Sequence, residues 1–166
     1  VDLIVIAQFV WEIYNQVYSA KVNAIIPWAA VQRPSVWYGG DPNPGTAIRV
    51  DDSGQYQVEP GYYFYKQVSR AGQPGMAVAR TWCNDPEMNL IAFANNGTKQ
   101  PNAFVLINVS TEEMDVTIDI ADAGRTWSVH RTGPGERYLA LGNLQTDMNL
   151  LHYQAPAGSV TTFVEI

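Results

Sequence analysis

The sequence predicts a mainly β protein, an antiparallel β-sandwich preceded by a helix–strand–helix unit. Two observations support this fold class. Residues 76–166 carry short apolar or alternating runs separated by turn residues, roughly every ten positions, which is typical of an antiparallel sandwich. Residues 1–75 instead carry two segments with helical spacing on either side of one short apolar run. We therefore predict two domains, 1–75 and 76–166.

Composition restricts the classes of partner. A net charge of −6 and a pI near 4.7 disfavour nucleic acid and anionic membranes, so neither is predicted as a partner. A hydrophobic fraction of 46% excludes a disordered chain. Cys83 is the single cysteine, and no Cys/His cluster has metal-ligand spacing. The sequence thus predicts no disulfide, no metal and no cofactor.

The first element is a helix over residues 2–20. Its apolar positions recur at steps of three and four, as on one helix face: Ile6, Phe9, Val10, Ile13, Val17 and Ala20. Leu3, Ile4 and Val5 widen this apolar surface. We therefore expect the helix to be covered on more than one side, by a missing segment or by another chain.

The second element is the apolar run at residues 22–30, which we predict to be a strand buried on both faces, as in a parallel sheet or barrel. A loop rich in Pro and Gly follows at 31–45. Residues 47–50 and 56–58 flank an Asp-Asp-Ser-Gly turn and predict a small hairpin. A second helix begins at Glu59-Pro60 and ends at Gly72.

The sandwich itself is predicted from six runs with strand character. They are residues 76–82, 89–95, 103–109, 114–120, 126–131 and 160–166, with a further strand around 150–153. Asn95-Asn96-Gly97 predicts a tight hairpin between the second and third runs, since Asn-Gly tolerates positive backbone angles. In the fourth run apolar residues alternate with polar ones, which indicates one dry and one wet face.

The search for chemistry leaves aromatic residues as the candidates. No acidic residue follows a buried parallel strand, where barrel enzymes keep catalytic groups, and no nucleophile elbow or phosphate loop occurs. Structural roles are predicted for Cys83, His130 and His152. Trp28 ends the predicted strand, and Trp37 and Tyr38 lie in the loop after it. Aromatic faces stack on the apolar faces of sugars, so these three residues are candidates for carbohydrate contact, although a buried tryptophan is more often simply part of a core.

Four segments resemble the C-terminal part of glycoside hydrolase family 30. Residues 22–28 resemble the last barrel strand of that family, and residues 61–70 with 73–75 resemble its last barrel helix and the exit into its β-domain. Residues 130–133 and 155–163 resemble the closing segments of that domain, including its Ser-Val-Thr-Thr run. The resemblance covers nearly the whole chain. It implies that the helix–strand–helix unit is the end of a (β/α)8 barrel.

The family resemblance also implies a function. Family members are retaining enzymes that fuse the barrel to a side β-sandwich, and their two catalytic glutamates lie on barrel strands that would precede Val1. This chain would then lack the catalytic pair and be inactive alone on β-linked glycans. Trp28 would floor a sugar subsite, and Trp37 and Tyr38 would lie at the cleft rim. The parent enzyme is expected to be secreted or periplasmic.

Two other interpretations stay open at this point. In the first, the chain is a self-contained carbohydrate-binding or structural sandwich whose first helix packs across its own sheet. In the second, it is an interaction domain. As an interaction domain, the chain would pair with another chain through the apolar face of the helix at 2–20.

Overall fold

The structure, a computed structural model, describes residues 3–33, 45–121 and 123–166, with side chains in the first helix described from residue 7. In chain order the elements are α1 Leu3–Tyr18, β1 Val31–Gln32, β2 Ile48–Val50, β3 Tyr56–Val58, α2 Pro60–Ala71, β4 Ala77–Ala79, β5 Met88–Ala94, β6 Ala103–Asn108, β7 Met114–Asp119, β8 Thr126–Gly133, β9 Glu136–Gln145, β10 Leu150–Ala155 and β11 Ser159–Glu165.

The strands form a large sheet, a ribbon and a small sheet. The large sheet has six antiparallel strands in the order β4-β5-β6-β11-β8-β9. Strands β10 and β7 pair as a two-stranded ribbon, and β1, β2 and β3 form the small sheet. Helices α1 and α2 cover one face of the large sheet, and the ribbon covers the other. The predicted class, a mainly β antiparallel sandwich with helices, is therefore confirmed.

Strand β6 separates two hydrophobic cores. Because side chains alternate along a strand, Val105 and Ile107 join the core beneath the helices, whereas Phe104 and Leu106 join the core beneath the ribbon. Every residue of β6 is buried. Burial on both faces explains why this strand reads as a continuous apolar run rather than an alternating one.

The helices pack onto the large sheet through small and branched side chains. Helix α1 buries Ala7, Val10 and Ile13 in this core. That the apolar face of the predicted helix 2–20 also meets a missing segment or another chain stays a prediction, whereas these three residues pack inside this chain. They do so because the six-stranded sheet offers α1 a broad apolar face. This arrangement matches the alternative in which the helix packs across its own sheet.

Helix α2 begins and ends where its sequence predicts. Pro60 occupies the first turn, where its missing N–H costs nothing, and the helix ends before Gly72. The φ of Gly72 is −87°, so its role is not a left-handed turn. A Cβ at this position would lie 2.7 Å from the Phe93 ring. Any larger residue at this position would have to displace the Phe93 ring.

The sandwich strands follow the predicted runs with three differences, the first being that β4 ends at Ala79 although a strand was predicted over residues 76–82. Strand β9 was not predicted, because Gly142 (φ 86°) and two register shifts against β8 interrupt its alternation. The hairpin predicted at 95–97 is a turn inside a longer connection, since β5 ends at Ala94 and β6 begins at Ala103. Asn96 and Gly97 do adopt positive φ, at 52° and 78°.

Within the described ranges, no helix is both long enough and apolar enough to cross a membrane.

Candidate functional site

Trp28 lies in a segment without regular secondary structure, whose backbone is fixed to the small sheet. The Ala47 and Ile48 N–H groups donate to the carbonyl oxygens of Ala29 and Ala30, each at 3.0 Å. Strand β1 then continues the segment and pairs with β2 in parallel. The Trp28–Ala29 peptide bond is cis. These contacts hold the backbone at Trp28 in a defined place while its side chain points away from the core.

The strand predicted at residues 22–30 does not form, and the segment is not buried. Ile26 is 93% exposed and Trp28 is 61% exposed. Pairing begins only at Val31, whose side chain is also exposed. The prediction rested on apolar character, yet the part of the chain that the structure describes provides no strand on the other side of this segment. An apolar run without neighbouring strands stays open to solvent.

The hairpin beside this segment is built by local hydrogen bonds, as predicted. The Asp51 carboxylate accepts from the backbone N–H groups of Ser53 at 2.8 Å and Gln55 at 2.9 Å, and from the Ser53 hydroxyl at 2.6 Å. The hydroxyl bond is the main cause that lowers the pKa of Asp51. Asp51 therefore closes the turn, and this surface acid has a structural role.

Glu59 is a buried carboxylate at the start of α2. Its Oε1 lies 2.8 Å from Arg49 Nε, an ion pair whose angles are not those of a hydrogen bond. Arg49 belongs to β2, so the pair ties the small sheet to the helix. A carboxylate near a helix N-terminus is also favoured by the helix dipole. Glu59 is therefore held in a structural position and is no candidate nucleophile.

The other two predicted sugar-binding residues, Trp37 and Tyr38, fall within residues 34–44 and lie outside the described residues. Their role at a cleft rim stays a prediction. Among the residues described, no group of three His, Cys, Asp or Glu side chains is placed to hold a metal ion. The structure thus brings one of the three predicted residues, Trp28, to an exposed and anchored position.

The titratable side chains of the sandwich have environments that fit structural roles. Burial raises the pKa of the Cys83 thiol, which makes the nucleophilic thiolate scarcer at neutral pH. Burial, and then the charge of Lys66, lowers the pKa of His130. The His130 ring stacks on Tyr138 at 4.6 Å between centroids, and the Lys66 ammonium lies 4.1 Å from the centre of the same Tyr138 ring. These groups tie α2 to strands β8 and β9.

Sequence reasoning missed a second exposed tryptophan. Trp82 was assigned to the strand predicted over residues 76–82, but β4 ends at Ala79 and the Trp82 side chain is 79% exposed. It lies at the rim of a cleft of about 610 Å³ between β4, β5 and the ribbon strand β7. The Asn84-Asp85-Pro86 turn ends any strand before residue 84, but no sequence signal marks the end of β4 at Ala79.

Comparison with solved structures identifies the fold. A GH30 endoxylanase from Clostridium papyrosolvens C71 matches with a TM-score of 0.72 and 19% identity, over 99% of this chain and 38% of that chain. A glycoside hydrolase family 30 subfamily 8 xylanase from Clostridium acetobutylicum matches with a TM-score of 0.74 and 16% identity, over 99% and 39%. The catalytic domain of GH30 xylanase C from Talaromyces cellulolyticus matches with a TM-score of 0.70 and 17% identity, over 98% of this chain and 34% of that chain.

The predicted resemblance to the C-terminal part of a family 30-like glycoside hydrolase is therefore confirmed at the level of the fold. The chain spans less than two fifths of the length of the three xylanase structures described above. No protein-family model matches the sequence, and neither does any curated protein.

Proposed function

We propose that this chain is the C-terminal portion of a retaining glycoside hydrolase acting on β-linked glycans. In this proposal residues 1–75 complete a (β/α)8 barrel and residues 76–166 form its side sandwich. Trp28 supplies an aromatic surface of the sugar cleft, with Trp37 and Tyr38 at the rim. The two catalytic glutamates belong to barrel strands that precede Val1.

The observation that carries this proposal is the extent of the structural match. Xylanase structures cover 99% of this chain, helices included, while this chain covers only 38–39% of them. The shared fold thus extends across both predicted domains and not only across a sandwich. A free-standing binding module would be expected to match in the sandwich alone.

The exposed apolar side chains near Trp28 support the same proposal. Ile26, Trp28 and Val31 are large apolar residues in open solvent on one short segment. Contiguous apolar exposure of this kind marks a surface that is covered in the functional protein. We assign its covering to the preceding strands of the barrel, which would give residues 22–30 the neighbours that they lack here.

Two measurements test the proposal. The purified chain, incubated with xylan and with β-1,4-glucan, is expected to release no reducing sugar above a buffer blank, because it holds no catalytic pair. Hydrolysis by this chain would overturn the proposal. The residues encoded upstream of Val1 are expected to include a strand that ends in glutamate. A different kind of sequence there would also overturn it.

The alternative is a non-catalytic carbohydrate-binding or structural module, which the packing of α1 across its own sheet favours. Affinity electrophoresis in xylan gels separates the two. A binding module is expected to be retarded as an isolated chain, whereas an incomplete barrel offers only one wall of a cleft through Trp28. Comparing Trp28→Ala with Trp82→Ala then shows which surface is responsible for any retardation.

A further inference from the structure

We infer that the cleft between the large sheet and the ribbon is a second carbohydrate-binding site, which takes a neutral β-linked oligosaccharide across Trp82. It is separate from the surface around Trp28, since it lies on the ribbon side of the large sheet. The inference takes only the class of sugar from the proposed function.

The cleft exists because the two layers differ in width. The large sheet has six strands and the ribbon has two, so the ribbon leaves the β4–β5 side of the sheet uncovered. Strand β7 forms one wall, and Leu90 and Ala92 of β5 contribute to the other. The volume of about 610 Å³ lies within the range of small-molecule sites, roughly 300–1,000 Å³.

The lining offers the two kinds of contact that a sugar ring needs. Trp82 presents an open indole face at the rim, on which the apolar C–H face of a pyranose can stack. Trp127 also lines the cleft; it is only 4% exposed and packs edge-on against Phe104 with ring centroids 4.8 Å apart. Trp127 Nε1 is buried and has no hydrogen-bond partner among the described residues, so a ligand hydroxyl that reached it would satisfy this donor.

Three linked polar side chains, Asn102, Glu165 and Arg125, also line the cleft. Asn102 Nδ2 donates to Glu165 Oε2 at 2.7 Å, and the other carboxylate oxygen pairs with the Arg125 guanidinium. Carboxylate, amide and guanidinium groups at one place bind vicinal hydroxyls through paired hydrogen bonds. Because the charges of Glu165 and Arg125 already neutralise each other, a neutral ligand fits beside this pair better than an anion or a cation.

A polypeptide strand is the competing occupant, since β7 pairs only with β10 among the described strands and has an open edge. Asp115 and Asp119 place acidic side chains on β7, and charges on an edge strand oppose the addition of another strand. Exposed Trp82 also lies at the rim, where it adds nothing to strand pairing. These features favour the sugar.

The experiment is an NMR titration of the ¹⁵N-labelled chain with xylohexaose and, separately, cellohexaose. We expect the indole N–H signals of Trp82 and Trp127 and the amide signal of Asn102 to shift with one or both sugars. Trp82→Ala is expected to weaken that binding at least about tenfold, because the stacking surface is lost. Tyr56→Ala is the matched control, as Tyr56 is similarly exposed, at 75%, but lies on the small sheet.

Each outcome bears on one proposal. No shift at the cleft signals with either sugar, or an equal loss of affinity in Trp82→Ala and Tyr56→Ala, would overturn the second site. Binding abolished by Trp28→Ala but kept in Trp82→Ala would also overturn it and leave the proposed function intact. Loss of binding in Trp82→Ala alone supports the inference even if the chain proves to hydrolyse glycan. Since Trp82 is open to solvent, its removal is expected to leave the melting temperature unchanged.

Discussion

Two apolar runs in this chain have similar composition and opposite environments. Residues 24–30 and strand β6 are both short, apolar and poor in charge. Every residue of β6 is buried, whereas Ile26 in the other run is almost completely exposed. The difference lies in their neighbours: β6 is paired on both edges and covered on both faces. Apolar composition therefore indicates that a segment needs covering, but not that this chain covers it.

The largest effect is expected from one substitution placed in each run. Ile107→Ala removes a fully buried side chain beneath the helices and should lower the free energy of unfolding by about 2–5 kcal/mol. Ile26→Ala should change it by no more than about 0.5 kcal/mol. Urea denaturation followed by tryptophan fluorescence measures both. A large loss in Ile26→Ala would show that residues 22–30 are covered in the isolated chain.

A smaller loss of stability is expected from replacing one asparagine in each region with alanine. Asn108 is completely buried, and its Nδ2 donates to the carbonyl oxygens of Glu112 at 2.9 Å, Ala155 at 3.0 Å and Pro156 at 3.1 Å. Asn108→Ala leaves these carbonyls without a donor and should cost about 1–3 kcal/mol. Asn23→Ala, in the exposed segment, should be close to neutral. Equal losses in the two variants, measured by thermal unfolding, would contradict this contrast.

The smallest effect is expected on the pH dependence of stability, through His130 in the large sheet that contains β6. Burial lowers the pKa of His130 in strand β8, so the unfolded chain binds a proton near the usual pKa of about 6.5 while the folded chain resists it. Protons therefore favour unfolding, and stability should fall as the pH drops below about 6.5. His130→Phe keeps an aromatic ring against Tyr138 and should flatten this dependence. His152→Phe, on the exposed face of the ribbon, serves as the control and should retain it.

Much of the fold was predictable because its signals are local. Alternation in residues 114–120, Pro60 at the start of α2 and helical spacing in α1 are each determined within a few residues. Strand β9 escaped because Gly142 and the register shifts break its period. The exposure of residues 22–30 was not predicted for another reason. It depends on which strands surround the segment, and no local pattern contains that information.

The two candidate sites differ in the same way: one was predicted from a local sequence pattern, and the other depends on tertiary structure. Trp28 was predicted from its place at the end of an apolar run, and the structure shows it exposed, although the strand itself is absent. Trp82 was missed because residues 76–82 contain no Gly or Pro and therefore predict one strand that continues to the tryptophan. The cleft beside it arises from the unequal widths of two layers, which is a property of the tertiary structure and has no sequence motif.

The position of β6 between two cores has a consequence for how much of the chain the sandwich needs in order to fold. Val105 and Ile107 are covered by helices encoded before residue 76, and Phe104 and Leu106 by the ribbon encoded after it. A gene segment that begins at residue 76 would encode a sheet with one apolar face open to water. A stable sandwich is therefore expected to need both helices as well as residues 76–166.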